Sequence, residues 1–141
     1  MDGSLYAQLV PYLTVYGGGN VNLNCASEPV LVALARACAS AHHDVDTCEA
    51  LAAKIVRFQQ AGNAFEEADS AVIRNQLKEF VALTGEEDGL FLKMMGSLTV
   101  RSRAFRGIAS GIEEDGSSPR MWVEFVCDAQ AGQFVYWREF Q

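Results

Sequence analysis

Four cysteines and two histidines are the residues best equipped for metal or nucleophilic chemistry. Cys25, Cys38, Cys48 and Cys127 show no CxxC spacing, and His42 and His43 stand side by side between Cys38 and Cys48. Adjacent side chains tend to point apart, and no common zinc module has this ligand order. Nucleophilic catalysis needs a Ser or Cys near a His that a third group orients. Both histidines share one short stretch and no GxSxG elbow exists, so no catalytic residue is assigned. Gly17-Gly18-Gly19 lacks the spacing and the lysine of a phosphate loop, and reads as a flexible lead into the next element. Carboxylates cluster at Glu66-Glu67, Glu86-Glu87-Asp88 and Glu113-Glu114-Asp115. These fall in predicted loops or helix starts, where acids stay hydrated or offset the helix dipole. Calcium is the ion such clusters would take, but no EF-hand spacing supports it. No cofactor is assigned, and metal ligands stay open.

The elements that must position these residues follow from composition. The chain has 141 residues, half of them hydrophobic, which is enough for one domain or two small ones with a real core. Eleven Lys and Arg stand against eighteen Asp and Glu, for a net charge of −7. Such a chain gains nothing from counterion release and is repelled by anionic membranes, so nucleic acid is not an expected partner. No apolar run reaches the roughly 18 residues of a membrane span, and no signal peptide opens the chain. Met1-Asp2-Gly3-Ser4 reads as a cloned start, so a fragment cut from its targeting and anchoring segments is expected.

Residues 27–95 are rich in Ala and Leu, whereas 97–140 carry Val, Phe, Trp and Tyr in short stretches split by Gly and Ser. Helices followed by strands predict an α+β fold. A lead-in segment with a short helix occupies 1–19, the helical domain 20–95 and an antiparallel β portion 96–141. The short helix covers 5–13 and is ended by Pro11. Ser27 caps the first clear helix, with Val30, Leu31, Leu34, Ala37 and Cys38 at helical spacing. Asp46 and Glu49 make a capping-box-like start for a second helix carrying Leu51, Ile55 and Phe58. Asp69 or Ser70 caps a third with Ile73, Leu77 and Phe80, and 88–95 is a further helix. Residues 98–110 supply a strand, and 120–140 read as a hairpin turning at Ala129-Gln130-Ala131-Gly132.

Two structural expectations concern particular side chains. Cys38 lies near the end of one helix and Cys48 near the start of the next, so a helical hairpin brings them together as a disulfide. Cys25 is about 20 Å from Cys38 at 1.5 Å per residue, too far to bridge. Strand alternation puts Met121, Val123, Phe125 and Cys127 on one face, with Phe134 and Tyr136 on one side of the partner strand. Three strands bury little, so this face is expected to be incompletely covered and to bind a partner or a second copy.

The most specific stretch is Asn20-Val21-Asn22-Leu23-Asn24-Cys25-Ala26-Ser27, whose Asn side chains can satisfy loop backbone and cap the next helix. The pattern N-x-N-x-A-S at Asn22, Asn24, Ala26 and Ser27, ahead of an amphipathic helix, resembles two families. One is the helix-hairpin-helix DNA-binding module. The other is general secretion pathway protein K, the largest minor pseudopilin of type II secretion. The second also resembles Leu5 to Asn24 as a whole, Arg101-Ser102-Arg103-Ala104-Phe105-Arg106 with its Ser102 and Phe105, and Val135-Tyr136-Trp137-Arg138-Glu139. The resemblance covers nearly the whole chain. It departs at Cys25, where the family usually has Thr, and at 35–40, which lack the Pro-Gly hairpin that would offer backbone N–H groups to phosphate.

The K-type resemblance implies a SAM-like helical unit inserted ahead of a short antiparallel sheet of pseudopilin type. It implies a non-catalytic role at the tip of the pseudopilus, with the minor pseudopilins I and J as partners. It also implies a periplasmic domain of a Gram-negative bacterium, held to the inner membrane by an N-terminal anchor helix absent from this sequence.

Overall fold

The computed structural model describes residues 3–12, 16–40, 44–111 and 121–140. The fold is α+β: helices lead and a three-stranded antiparallel sheet closes the chain. The chain divides into two units, Met1–Leu13 with Gly19–Arg101, and Thr14–Gly18 with Ser102–Gln141.

The helical unit opens with α1 (Gly3–Leu9), which runs into a 3-10 turn over Val10–Tyr12, so the chain tightens around Pro11 where a helix was expected to stop. Four amphipathic helices build the core. In α2 (Glu28–Cys38) Leu31 and Ala35 are four apart and face inward. In α3 (Val45–Gln60) Cys48, Leu51, Ala52, Ile55 and Phe58 make the buried stripe. Next come α4 (Ser70–Phe80), burying Ile73 and Leu77, and α5 (Gly85–Met94), burying Leu90, Phe91 and Met94. The loop residue Phe65 stacks on Phe58 with ring centroids 4.4 Å apart, joining the same cluster.

Caps set the helix boundaries, and they differ in part from the expected ones. Ser27 stands at the N-cap of α2, but its side chain makes no capping bond, and Pro29 in the first turn removes one donor that would need it. Helix α3 starts one residue before Asp46, because Asp44 accepts the Thr47 N–H at 2.7 Å. The reciprocal capping box belongs to α5: Glu87 N–H donates to the Thr84 hydroxyl, and the Glu87 carboxylate accepts the Thr84 N–H at 2.7 Å. Asp69 caps α4 as expected, taking N–H bonds from Ala71 and Val72. After α3 the chain turns away at Gly62, whose φ of +79° suits a residue without Cβ.

A parallel two-stranded ladder, unforeseen in the sequence, pairs β1 (Val21–Asn22) with β2 (Leu98–Thr99). It holds residues 98–101 within the helical unit, beyond the expected boundary at 95. The asparagine stretch explains itself here. The Asn24 side chain donates to the carbonyls of Phe65 at 2.8 Å and Val100 at 2.9 Å, and accepts the Phe65 N–H at 2.8 Å. Asn22 Oδ1 accepts the Asn24 N–H, and Gln59 Nε2 donates to the Leu23 carbonyl. Three sequence-distant segments are thus tied at one amide beside the buried Leu23.

No disulfide joins Cys38 and Cys48; both are free thiols. The hairpin does bring their helices together, but each sulfur is committed to packing. Cys48 is buried on the inward stripe of α3, and Cys38 packs at the margin of the same cluster. Burial pushes the Cys48 thiol up, so it behaves as a core side chain.

The sheet unit is a meander of β3 (Ala104–Ser110), β4 (Trp122–Asp128) and β5 (Gln133–Phe140). The β4–β5 turn falls at the expected place and is fixed by Asp128, whose Oδ1 accepts the N–H groups of Gln130 and Ala131 while Arg103 pairs with Oδ2. Among the described residues of this unit, only Val126 is buried.

Candidate interaction surface

Register across the meander assigns every strand residue to a face. Phe105 lies opposite Cys127, Gly107 opposite Phe125 and Ala109 opposite Val123. On the other flank Phe125 lies opposite Trp137, and Cys127 opposite Phe134. These residues share one face, with Val123, Phe125 and Cys127 as its row on β4. Phe125 is at its centre, with Phe134 edge-on at 5.3 Å and Trp137 stacked at 6.2 Å; Phe134 and Trp137 meet at 5.2 Å.

Gly107 makes this arrangement possible. A Cβ on Gly107 would stand 2.3 Å from the Phe125 ring. The missing side chain lets the ring lie across the neighbouring strand. The ring then covers backbone that would otherwise be bare, which is why Phe125 is half-buried while its neighbours are open. Phe134 is 60% exposed, Trp137 52% and Phe105 49%.

Tyr136 leaves the expected set. A bulge in the β4–β5 ladder makes Val126 pair with Tyr136 but Cys127 with Phe134, so Val135 is the extra residue. Counting every second residue through a bulge gives the wrong face. Tyr136 turns to the opposite side, where it meets Tyr16 at 6.2 Å, and Trp137 takes its place in the aromatic cluster. Met121 is exposed, and Val123 is half-buried on the expected face. No local pattern in the run from Gln133 to Phe140 marks the bulge, so the sequence held no signal for Trp137.

The remaining candidates serve the fold. Asn22 and Asn24 are the loop ties described above, Ala26 packs at the edge of the core, and Ser27 is an N-cap position. Ser102 precedes β3, and Phe105 belongs to the aromatic face. In the 86–88 cluster, Glu87 is 3% exposed and receives the Lys54 ammonium at 2.6 Å. Burial pushes its carboxyl up, but Lys54 and the Thr84 donors outweigh that and leave it lowered. Asp88 is gripped by Arg74 and Lys78, and the Arg74 guanidinium above all holds its carboxyl far below the usual range. These two acids clamp α5 to α3 and α4. Glu66 and Glu67 are exposed in a loop. Among the described residues no three His, Cys, Asp or Glu side chains gather as a metal-ligand group. His42, His43 and Glu113-Glu114-Asp115 lie outside the described residues.

In the helical unit Arg36 pairs with Glu49, and Lys54 with Glu87. Among the described residues no helix is long and apolar enough to cross a membrane. Comparison with protein families, curated proteins and solved structures returns no match for this chain.

Proposed function

We propose that this chain is the C-terminal part of the soluble domain of a type II secretion minor pseudopilin of the K kind, a non-catalytic subunit of the pseudopilus tip. The observation that carries the reading is the aromatic face of the β3–β4–β5 sheet, open at Phe105, Phe134 and Trp137. Apolar patches of this kind mark surfaces meant for contact. The order of a helical unit followed by a closing antiparallel sheet agrees with the K-type resemblance, as do the spacings of its motifs. The SAM-like and pseudopilin descriptions of the two units belong to this proposal.

On this reading the work is assembly through shape and apolar complementarity, with the minor pseudopilins I and J as neighbours. The place is the periplasm, under an anchor helix in the inner membrane. The test is to mix the chain with I- and J-type minor pseudopilin soluble domains and to follow size-exclusion elution. Co-elution as one complex, lost on Phe134→Ser with Trp137→Ser, supports the proposal. Separate elution of all three, or a complex indifferent to both substitutions, overturns it.

A further inference from the structure

The opposite face of the same sheet differs in chemistry. Ile108, Glu124 and Arg138 form one row across the three strands, with Trp122 and Phe140 paired in the next row. Ile108 is 65% exposed, Trp122 46% and Phe140 37%. The Glu124 carboxylate is taken by Arg106, which lies to one side of it. Arg138, on the other side, lies 4.5 Å over the Phe140 ring and has no carboxylate partner among the described residues.

Two guanidiniums therefore flank one carboxylate that is already engaged, on a chain whose net charge is −7. The cation–π contact with Phe140 holds the Arg138 guanidinium over the ring, and no carboxylate of the described residues takes its N–H groups. Arg and Trp beside exposed aliphatic surface are the residue types that concentrate binding energy in protein interfaces. Charge complementarity selects the occupant. A nucleic acid needs a run of cations along its backbone, and the chain as a whole repels it. A carboxylate flanked by apolar side chains matches Arg138 beside Phe140 and Trp122, with Ile108 across Glu124 in the same row.

We infer that this second face is a docking site for a segment of another polypeptide that carries Asp or Glu next to apolar residues. The inference does not depend on the pseudopilin reading, because it concerns the other side of the sheet and a different chemistry.

The test uses the full chain and three fluorescein-labelled peptides of equal length, in which Leu alternates with Glu, Gln or Lys, plus a labelled single-stranded oligonucleotide. Polarisation titrations should show the Glu peptide binding about tenfold more tightly than the Gln peptide, a preference that Arg138→Glu passes to the Lys peptide. Arg138→Gln should abolish the preference without reversing it, which separates charge from misfolding. Arg36→Gln, on the exposed surface of the helical unit, should leave it unchanged. The inference is overturned if Glu and Gln peptides bind alike or not at all. It is equally overturned if Arg138→Glu keeps the preference for Glu, or if the oligonucleotide binds more tightly than the Glu peptide.

Discussion

The helical unit turns its large apolar side chains inward: Leu23, Leu31, Leu51, Ile55, Leu77, Leu90, Phe91 and Met94 are all buried. The sheet unit does the reverse, leaving Phe105, Ile108, Trp122, Phe134, Val135, Trp137 and Phe140 exposed around a single buried Val126 among its described residues. The two have similar apolar appetite and differ in layering. Helices packed on one another give each stripe a partner surface. A three-stranded sheet has two faces and buries little by itself, and Tyr16 against Tyr136 covers only a small part of one of them. The first unit therefore stores its hydrophobic free energy in folding, and the second keeps it available for contact.

The contrast breaks most sharply under truncation. Phe91→Ala in the helical core should cost about 3–5 kcal/mol, since it leaves a cavity as well as lost transfer energy. Trp137→Ser on the sheet loses its ring contacts with Phe125 and Phe134 and should cost about 1–2 kcal/mol, less than the core truncation, while also acting on assembly. Urea unfolding followed by far-ultraviolet circular dichroism compares the two; equal losses would mean that the aromatic face is closed within the chain.

Asn24→Ala tests whether the asparagine stretch serves the fold. It strands the Phe65 N–H and the carbonyls of Phe65 and Val100, and should cost about 2–3 kcal/mol in the same measurement. A loss below a few tenths would return the stretch to the list of functional motifs.

Gly107→Val sharpens the picture of the sheet. The new side chain collides with the Phe125 ring, and overpacking of this kind costs about 1–3 kcal/mol. The near-ultraviolet dichroism of the Phe125–Trp137 pair should change while the helical signal persists.

Acid should loosen the sheet before the helices. The Asp128 carboxyl is held down to about 2 by Arg103 and by the N–H groups of Ala131 and Gln130. A depressed folded value stabilises above the unfolded value near 4 and is lost as pH falls toward 2. The Gln130 and Ala131 amide resonances should shift across that window, and Asp128→Asn should remove the transition. Asp88, held lower still by Arg74, should keep its clamp on α4 through the same range.

The smallest effect separates the thiols. Iodoacetamide at neutral pH should label exposed Cys25 first and Cys48 last, because Cys48 is buried and its thiol is pushed up. Non-reducing mass mapping that finds Cys38 joined to Cys48 would show the oxidised hairpin the sequence suggested.

Much of the fold is written locally. Helical spacing marks the stripes of α2, α3 and α4, and Asp69 marks a start, because 3.6-residue periodicity and capping involve neighbours a few positions apart. Sequence alone also carries the change from Ala and Leu to β-branched and aromatic residues, and with it the α+β class and the β4–β5 turn. Other features depend on residues that meet only after folding. The Val21–Leu98 ladder, the Asn24 ties to Phe65 and Val100, and the Glu87–Lys54 clamp each join distant segments whose pairing leaves no local pattern. The bulge at Val135 is decided by pairing across two strands, so alternation assigned Tyr136 to a face that belongs to Trp137. The cysteines show the same limit: sequence placed Cys38 and Cys48 at neighbouring helix ends, and tertiary packing directed both sulfurs to the core instead of to each other.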